Sequence, residues 1–299
     1  MNVWRRSGPV VVEVDGSAAG RRVLDYASQE ALRAGADLVL VAPYHNHPAH
    51  SPIVPLRSPS TDAEEVLRDA AAQVKRLRNS DLVVRTISAE GSRLKVLQNA
   101  ADDARVLVVG RHHDSEAPDL ISAQGNLALA GRATCPVIVV PSNWKPSPAE
   151  RSIIVGIDGT ALSLDAVEFG FRTAADRSGD LTVVHSHRMP YRMPAATDDS
   201  TWQELAGLTV SETLAGWDEE YPNVRLTRLL TVRPVVAVLA DECEHVGLVV
   251  VGAHAGPLPI GDPVTRRTIA EMTCPVAVVA HHVTPAEKAR RRREIAARS

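Results

Sequence analysis

The chain has little of what marks several classes of protein. It has three cysteines among 299 residues, an odd number without the spacing of a disulfide framework. No apolar run approaches the length of a membrane span, and the opening MNVWRRSGPV lacks the apolar segment of a secretory signal. The net charge is only −3, so we expect no nucleic-acid partner. These absences predict a cytoplasmic protein without a membrane span.

Signatures of catalysis are also missing. The sequence contains no Gly-x-Ser-x-Gly elbow and no intact P-loop, so nothing supports nucleophilic or phosphoryl-transfer chemistry, and we expect no enzyme. Histidines are concentrated after predicted strands, either as a metal or pH-sensing site or as solvated loop residues. No carboxylate or cysteine shares a tight ligand spacing with them, and we predict no metal site. These histidines are His45, His47, His50, His112, His113, His185, His187 and His254.

What the chain does contain is a long internal repeat. PVVVEVDG at residues 9–16 returns as SIIVGIDG at 152–159, and TCPVIVV at 134–140 returns as TCPVAVV at 273–279. Asp158 follows Asp15 by 143 residues, Gly252 follows Gly110 by 142, and Cys274 follows Cys135 by 139. A unit this long is a whole domain, so we predict two domains, residues 9–142 and 152–280. They are called domain 1 and domain 2 below.

Each repeat alternates short apolar runs with amphipathic helical stretches. Strands that alternate with helices indicate an α/β fold with a doubly wound parallel sheet, and strands this apolar are typical of sheets covered on both faces. We also predict helix-opening capping boxes at Thr61–Glu64 and Thr201–Glu204, and a long helix over Glu204–Glu219 that carries Trp217 as a packing residue.

Ligands of doubly wound sheets bind beyond the carboxyl ends of the strands, where the strand order reverses. Asp15 follows the first predicted strand and Gly110 ends the fourth. This edge also holds Pro43–His47 and Gly110–Gln124, and its counterpart in domain 2 holds Asp158, His185–His187 and Gly252–Thr265. The sequence therefore predicts one candidate site in each domain.

The order and spacing of these segments, found twice, resemble universal stress proteins of the tandem type. The segments are VEVDGS and VGIDGT, LVVG and VVVG, and the two closing TCPV runs. The resemblance implies five-stranded sheets of order 3-2-1-4-5, joined as an intramolecular pseudo-dimer through their last strands, Val137–Val140 and Val276–Val279. It leaves a further dimer of chains open.

Many members of that family bind ATP through an Asp after the first strand and a loop after the fourth. That loop reads Gly, two residues, Gly, nine residues, then Gly and Ser or Thr, because bare backbone amides cradle the phosphates. In domain 1 the second Gly of this pattern falls on His113, and the last pair falls on Ala123 and Gln124. Three carboxylates, Asp114, Glu116 and Asp119, lie between, and we expect Arg111 to offset only one of them.

Domain 2 departs further from the pattern. Gly252 remains, but its loop is three residues shorter and the last pair falls on Asp262 and Pro263. An acidic cap there opposes an anion, and proline lacks an amide donor.

The interpretation is a stress-response binding or regulatory module with degenerate ATP loops and no certain cofactor. Its altered loops would face either an unidentified regulatory protein or a ligand without phosphate. The alternative is an ATP-binding stress sensor. Its candidate nucleotide contacts are Asp15, Pro43, Gly110, His113, Ala123, Gln124, Asp158, Ser186 and Gly252.

A basic tail follows the second repeat, at residues 281–299. Its last fifteen residues, PAEKARRRREIAARS, carry six basic and two acidic side chains. Two interpretations stay open: a solvated end, or an electrostatic docking segment for an acidic partner or a membrane surface.

Cys135 and Cys274, each before a proline and an apolar strand, are predicted core positions.

Overall fold

The structure, a computed structural model, describes residues 7–45, 58–78, 82–111, 119–186, 199–254 and 263–281. In this part of the chain none of the helices is long and apolar enough to cross a membrane. The basic tail beyond residue 281, predicted from its charge, lies outside the described residues.

Strands and helices alternate through both halves. The strands are β1 Val10–Glu13, β2 Leu38–Tyr44, β3 Val84–Glu90, β4 Val106–Gly110, β5 Val137–Val140, β6 Ile153–Ile157, β7 Asp180–Ser186, β8 Arg225–Thr231, β9 Leu248–His254 and β10 Val276–His281. The helices are α1 Ala18–Arg33, α2 Pro59–Arg78, α3 Arg93–Ala101, α4 Asp119–Ala130, α5 Ala161–Arg177, α6 Asp199–Leu214, α7 Trp217–Glu220, α8 Val235–Glu242 and α9 Pro263–Glu271.

The described strands form one sheet of ten, in the order β3-β2-β1-β4-β5-β10-β9-β6-β7-β8. Within each half the strands are parallel, and the order 3-2-1-4-5 occurs twice, as predicted. The halves meet where β5 runs antiparallel to β10, with Ile138 opposite Ala277. The α/β fold class is confirmed. Because the central pair is antiparallel, the carboxyl ends of the two half-sheets lie at opposite edges.

Two apolar layers cover the faces of this sheet, and both layers span the two halves. One contains α1, α2, α5 and α6, and the other contains α3, α4, α8 and α9. The central strands are almost wholly buried, which explains their lack of polar alternation. Trp217 stacks on Phe171 with ring centroids 5.6 Å apart, so it is a packing residue.

Polar contacts also join the halves. The Arg177 guanidinium of α5 donates to the Tyr26 hydroxyl and to Glu30 of α1, both at 2.8 Å. Its side chain is fully buried. Arg105, before β4, pairs with Asp176 at 2.7 Å. The halves are therefore held by the β5–β10 pair, by the buried Arg177–Glu30 ion pair between α5 and α1, and by the partly exposed Arg105–Asp176 pair.

Three local predictions were wrong. Helix α2 begins at Pro59 and α6 at Asp199, so neither Thr61 nor Thr201 opens its helix. The predicted helix over Glu204–Glu219 is divided after Leu214, because Gly216 takes a left-handed conformation at φ +84° before α7.

Candidate functional site

In domain 1 the ends of three adjacent strands bring the predicted residues to one edge. β1 lies between β2 and β4, so the segments after Glu13 and after Gly110 are neighbours. Asp15 lies in the turn after β1, Pro43 lies in β2 opposite Ala89, and Gly110 ends β4. This is the edge where doubly wound sheets bind ligands.

The turn after β1 is tightly built. Gly16 adopts φ +77°, which only glycine takes without strain. The Asp15 carboxylate accepts a hydrogen bond from the Ser17 amide at 2.9 Å, and Ser17 caps α1 by accepting from the Gly20 amide at 2.8 Å. A Cβ on Gly20 would lie 2.0 Å from Asp15 Oδ1. The close approach of α1 to Asp15 therefore depends on glycine at position 20.

A groove of about 630 Å³ runs from this turn between α1 and α2. Its charged lining residues are Asp15, Arg21, Asp62, Glu65, Asp69 and Arg76. Carboxylates thus outnumber guanidinium groups in the lining by two. Such a groove disfavours a polyanion and favours a cationic or neutral occupant.

The base of the loop after β4 is tied to α4. Asn126 is buried, and its side-chain amide donates to the Gly110 carbonyl at 3.1 Å. Ala123 is fully buried and Gln124 is exposed. Of the predicted last pair, only Gln124 therefore presents a side chain to solvent.

The Arg111 guanidinium reaches domain 2. Its side chain is buried and donates to the Ala270 carbonyl at 3.2 Å and the Met272 carbonyl at 2.5 Å in domain 2. These carbonyls lie at the carboxyl end of α9, where the helix dipole favours a cation. The loop carboxylates Asp114 and Glu116 lie outside the described residues, so the expectation that Arg111 offsets one of them stays a prediction.

Beneath this edge lies an ionic network that sequence reasoning missed. Glu13 of β1 is buried and receives two hydrogen bonds from the Arg93 guanidinium, at 2.7 and 2.8 Å. Arg93 also donates to the Asn126 side chain at 3.2 Å. A glutamate inside the otherwise apolar VVVEV was the available signal. The network links β1, α3 and α4 directly under Gly110.

Domain 2 replaces this network with apolar contacts. Gly156 stands at the position of Glu13 and Val235 at that of Arg93, and a Cβ on Gly156 would lie 3.4 Å from the Val235 side chain. Thr265, at the position of Asn126, donates its hydroxyl to the Gly252 carbonyl at 2.9 Å. In both domains a side chain of the next helix donates a hydrogen bond to the carbonyl of the glycine that begins the loop. The Glu13–Arg93 ion pair lies beneath this glycine in domain 1, whereas Gly156 and Val235 occupy those positions in domain 2.

Asp158 is engaged by its own loop. Its Oδ1 accepts hydrogen bonds from the Thr160 amide at 2.9 Å, the Thr160 hydroxyl at 2.7 Å and the Ser163 hydroxyl at 2.8 Å. Partial burial raises the pKa of this carboxyl, but the hydrogen bonds outweigh it, and the pKa is lowered from its usual value. The Asp158 carboxylate therefore stabilises the start of α5.

The other predicted residues of domain 2 are also engaged. The Ser186 hydroxyl donates to the Arg233 carbonyl at 2.7 Å. His185 is buried, and its Nδ1 lies 3.2 Å from the Ile157 carbonyl oxygen. His113, the loop carboxylates Asp114 and Glu116, and Asp262 lie outside the described residues. His47, His50, His112 and His187 lie there too.

Comparison with known proteins decides the family. A sequence model of the universal stress protein family matches residues 7–141 and, a second time, residues 150–280. The chain belongs to the universal stress protein family. The predicted resemblance to tandem members is confirmed, since the two matches together cover most of the chain.

The curated relatives are bacterial universal stress proteins. One from Mycobacterium tuberculosis is 27% identical over 262 residues, covering 82% of this chain and 86% of the relative. One from Mycolicibacterium smegmatis is 27% identical over 284 residues, covering 90% of this chain and 96% of the relative. These universal stress proteins match through both repeats of the chain.

Solved structures of the family share the fold. A universal stress protein from Archaeoglobus fulgidus has a TM-score of 0.71 at 14% identity and covers 93% of this chain and 100% of its own. A putative universal stress protein from Pseudomonas aeruginosa has a TM-score of 0.59 at 14% identity, covering 92% and 94%. At this identity the likeness shows the fold alone.

Proposed function

We propose that this universal stress protein is a cytoplasmic stress-response module that acts by binding a regulatory partner, without tight binding of ATP and without catalysis. Membership of the family supports the stress-response role. The proposed working parts are domain 1 over residues 9–142, domain 2 over residues 152–280, and the separate basic tail over residues 281–299.

The observation that carries the proposal is the excess of carboxylates in the groove beside Asp15. A phosphate cradle after β4 needs positive charge or bare amides facing the loop. Arg111, which directly precedes that loop in the chain, donates to the Met272 carbonyl of domain 2 at 2.5 Å. Carboxylates predominate in the groove beside Asp15. The acidic groove therefore adds to the missing loop glycines in weakening the binding of a nucleoside triphosphate to domain 1.

Domain 2 supports the same proposal by a different route. The Asp158 oxygen that would face a ligand already accepts three hydrogen bonds from Thr160 and Ser163. Helix α9 begins at Pro263, which has no amide proton to offer an anion. A nucleotide would have to displace these internal contacts of the domain.

The second candidate function is an ATP sensor that uses domain 1. One observation favours domain 1 over domain 2: the Asp15 carboxylate accepts a hydrogen bond from the Ser17 amide, whereas Asp158 accepts three. In this alternative Asp15, the Pro43 backbone and Gly110 would hold the adenosine and the first phosphates.

Restoring the cradle separates the two candidates. The triple variant His113→Gly, Ala123→Gly, Gln124→Ser returns the glycines and the hydroxyl of the family pattern to domain 1. We expect millimolar Mg-ATP to leave the melting temperature of the wild type unchanged and to raise that of the triple variant. Saturation at a hundred times the dissociation constant stabilises a fold by about 2.7 kcal/mol.

Asp15→Asn in the triple-variant background is the matched control, and it should abolish the gained shift. A thermal shift of the wild type that Asp15→Asn removes would instead establish the ATP sensor. A shift of the wild type that survives Asp15→Asn would place the nucleotide elsewhere in the chain.

A further inference from the structure

Three sulfur atoms lie close together in domain 2, before the amino ends of β9 and β10 and away from the carboxyl ends of the strands. Cys243 caps the carboxyl end of α8, and its Sγ lies 3.4 Å from the Met272 sulfur. The side chains of Cys243 and Cys274 are joined by a hydrogen bond. Both thiols are free and buried, each 5% exposed. Two thiols in contact are a potential redox pair, which a single buried thiol is not.

The repeat supplies an internal comparison. By the spacing of the repeats, Cys274 corresponds to Cys135, whereas Cys243 corresponds to Ala101 and Met272 to Ala133. Ala101 and Ala133 are as fully buried as their counterparts. Domain 1 therefore fills these three buried positions with two alanines and one cysteine. The second cysteine and the methionine are found in domain 2.

The two thiols differ in acidity. The hydrogen bond from the Cys274 side chain lowers the pKa of Cys243 against the effect of burial, with smaller contributions from the Cys274 backbone and from Thr273. The pKa of Cys274 is raised, because it donates that bond and is buried. Burial raises the pKa of Cys135 to about 12. Of the three thiols, Cys243 is the one whose pKa is lowered, so it is the most acidic and the candidate nucleophile.

We propose that Cys243 and Cys274 form a peroxide-sensitive pair that closes to an intramolecular disulfide. The Cys243 sulfur attacks a peroxide oxygen, so that an S–O bond forms, the O–O bond breaks and hydroxide leaves to become water. Cys274 then attacks the Cys243 sulfenic acid, forming the S–S bond and releasing a second water with the thiol proton. Two thiols are oxidised and one hydrogen peroxide is reduced to two waters.

The pair is connected to the interface between the halves. Met272, two residues before Cys274, accepts the Arg111 hydrogen bond through its carbonyl. Arg111 directly follows β4 of domain 1, and its amide donates to the Val140 carbonyl at 2.9 Å. A disulfide that reorients the turn at 272–274 would act on this contact. Resting on the proposed stress-response function, the pair gives domain 2 a means of reporting oxidation to domain 1.

The test uses the full-length, fully reduced protein. After treatment with hydrogen peroxide, free thiols are alkylated in denaturant and the protein is digested for mass spectrometry. We expect one cross-linked peptide that joins Cys243 to Cys274, with Cys135 recovered as alkylated thiol. A result with Cys243 and Cys274 both alkylated, under a dose that fully oxidises glutathione, would overturn the proposal. So would oxidation of Cys135 at the rate of Cys243, or a cross-link only between chains.

Variants assign the order of the steps. Cys274→Ser should stop at a sulfenic acid on Cys243 that dimedone traps, and Cys243→Ala, which copies Ala101 of domain 1, should leave Cys274 reduced. Cys135→Ala is the matched control and should cross-link as the wild type does. Dimedone labelling on Cys274 instead of Cys243 would contradict the assignment of Cys243 as the thiol that attacks peroxide. None of these readouts involves ATP, so a nucleotide-binding result that refutes the proposed function leaves this chemistry separately testable.

Discussion

At the start of α5, a single carboxylate oxygen of Asp158 accepts three hydrogen bonds from its own loop. Its counterpart Asp15 accepts one from the Ser17 amide. The same residue type in the same turn thus contributes differently in the two domains. In domain 2 the Asp158 carboxylate stabilises the start of α5. Among the described residues, the Asp15 carboxylate of domain 1 accepts fewer hydrogen bonds, so it has more capacity to accept them from a ligand.

This difference gives a pH-dependent prediction. The pKa of Asp158 is lowered in the folded state, so its contribution to stability is complete above the usual value of 3.8 and is lost as the pH falls through the lowered value. We expect Asp158→Asn to unfold at lower denaturant concentration than the wild type at neutral pH. The gap should close at acid pH.

Denaturant unfolding between pH 7 and pH 3 checks this, with Asp15→Asn as the matched control, for which we expect the smaller gap. A gap for Asp158→Asn that widens on acidification would contradict the assignment of the three hydrogen bonds.

Single residues also show which parts of the candidate site could be predicted from the sequence and which could not. Asp15 and Gly110 were placed at the strand ends from their positions after apolar runs. The Glu13–Arg93 pair could have been suspected, because a glutamate in a buried strand needs a partner. The hydrogen bonds of Arg111 to domain 2 could not have been predicted from the sequence, because these two acceptors lie 159 and 161 residues away.

At the scale of elements, hydrophobic periodicity located the strands and helices, but their starts followed stronger local signals. Helix α2 begins at Pro59, an amino acid whose fixed φ suits the first helical position, so the later Thr61 box has no helix to open. The break before α7 falls at a glycine with positive φ, a signal that the apolar pattern around it obscured.

The packing of α5 on α1 gives a prediction for the pairing of the halves. Arg177 is fully buried against Tyr26 and Glu30, so Arg177→Met leaves the Glu30 carboxylate without this partner. Removing one member of a buried pair costs about 3–5 kcal/mol. Because Arg33 stays paired with Glu30 at 2.9 Å, we expect the free energy of unfolding, measured with urea, to fall by about 3 kcal/mol, the lower end of this range.

Arg225→Met is the matched control for this measurement. Arg225 pairs with Asp180 at 3.4 Å with most of its side chain exposed, and exposed pairs contribute at most about 1 kcal/mol. Equal losses for the two variants would mean that the Arg177 cluster does not stabilise the pairing.

For the molecule as a whole, the repeat in the sequence predicted two similar domains and the strand alternation predicted their sheets. The join of the halves came from family resemblance, because four-residue apolar strands such as Val137–Val140 do not themselves specify a partner. The structure makes one sheet of ten strands, with core layers shared by both halves. The difference between the domains therefore lies in charge and thiol chemistry, on a common backbone.

We propose that the loops and charges of this universal stress protein do not form an ATP cradle. Calorimetric titration of the purified wild-type chain with Mg-ATP tests it most directly. We expect no saturable heat up to millimolar nucleotide. Saturable binding at one site per chain, abolished by Gly110→Arg, would refute this proposal and establish domain 1 as a nucleotide sensor.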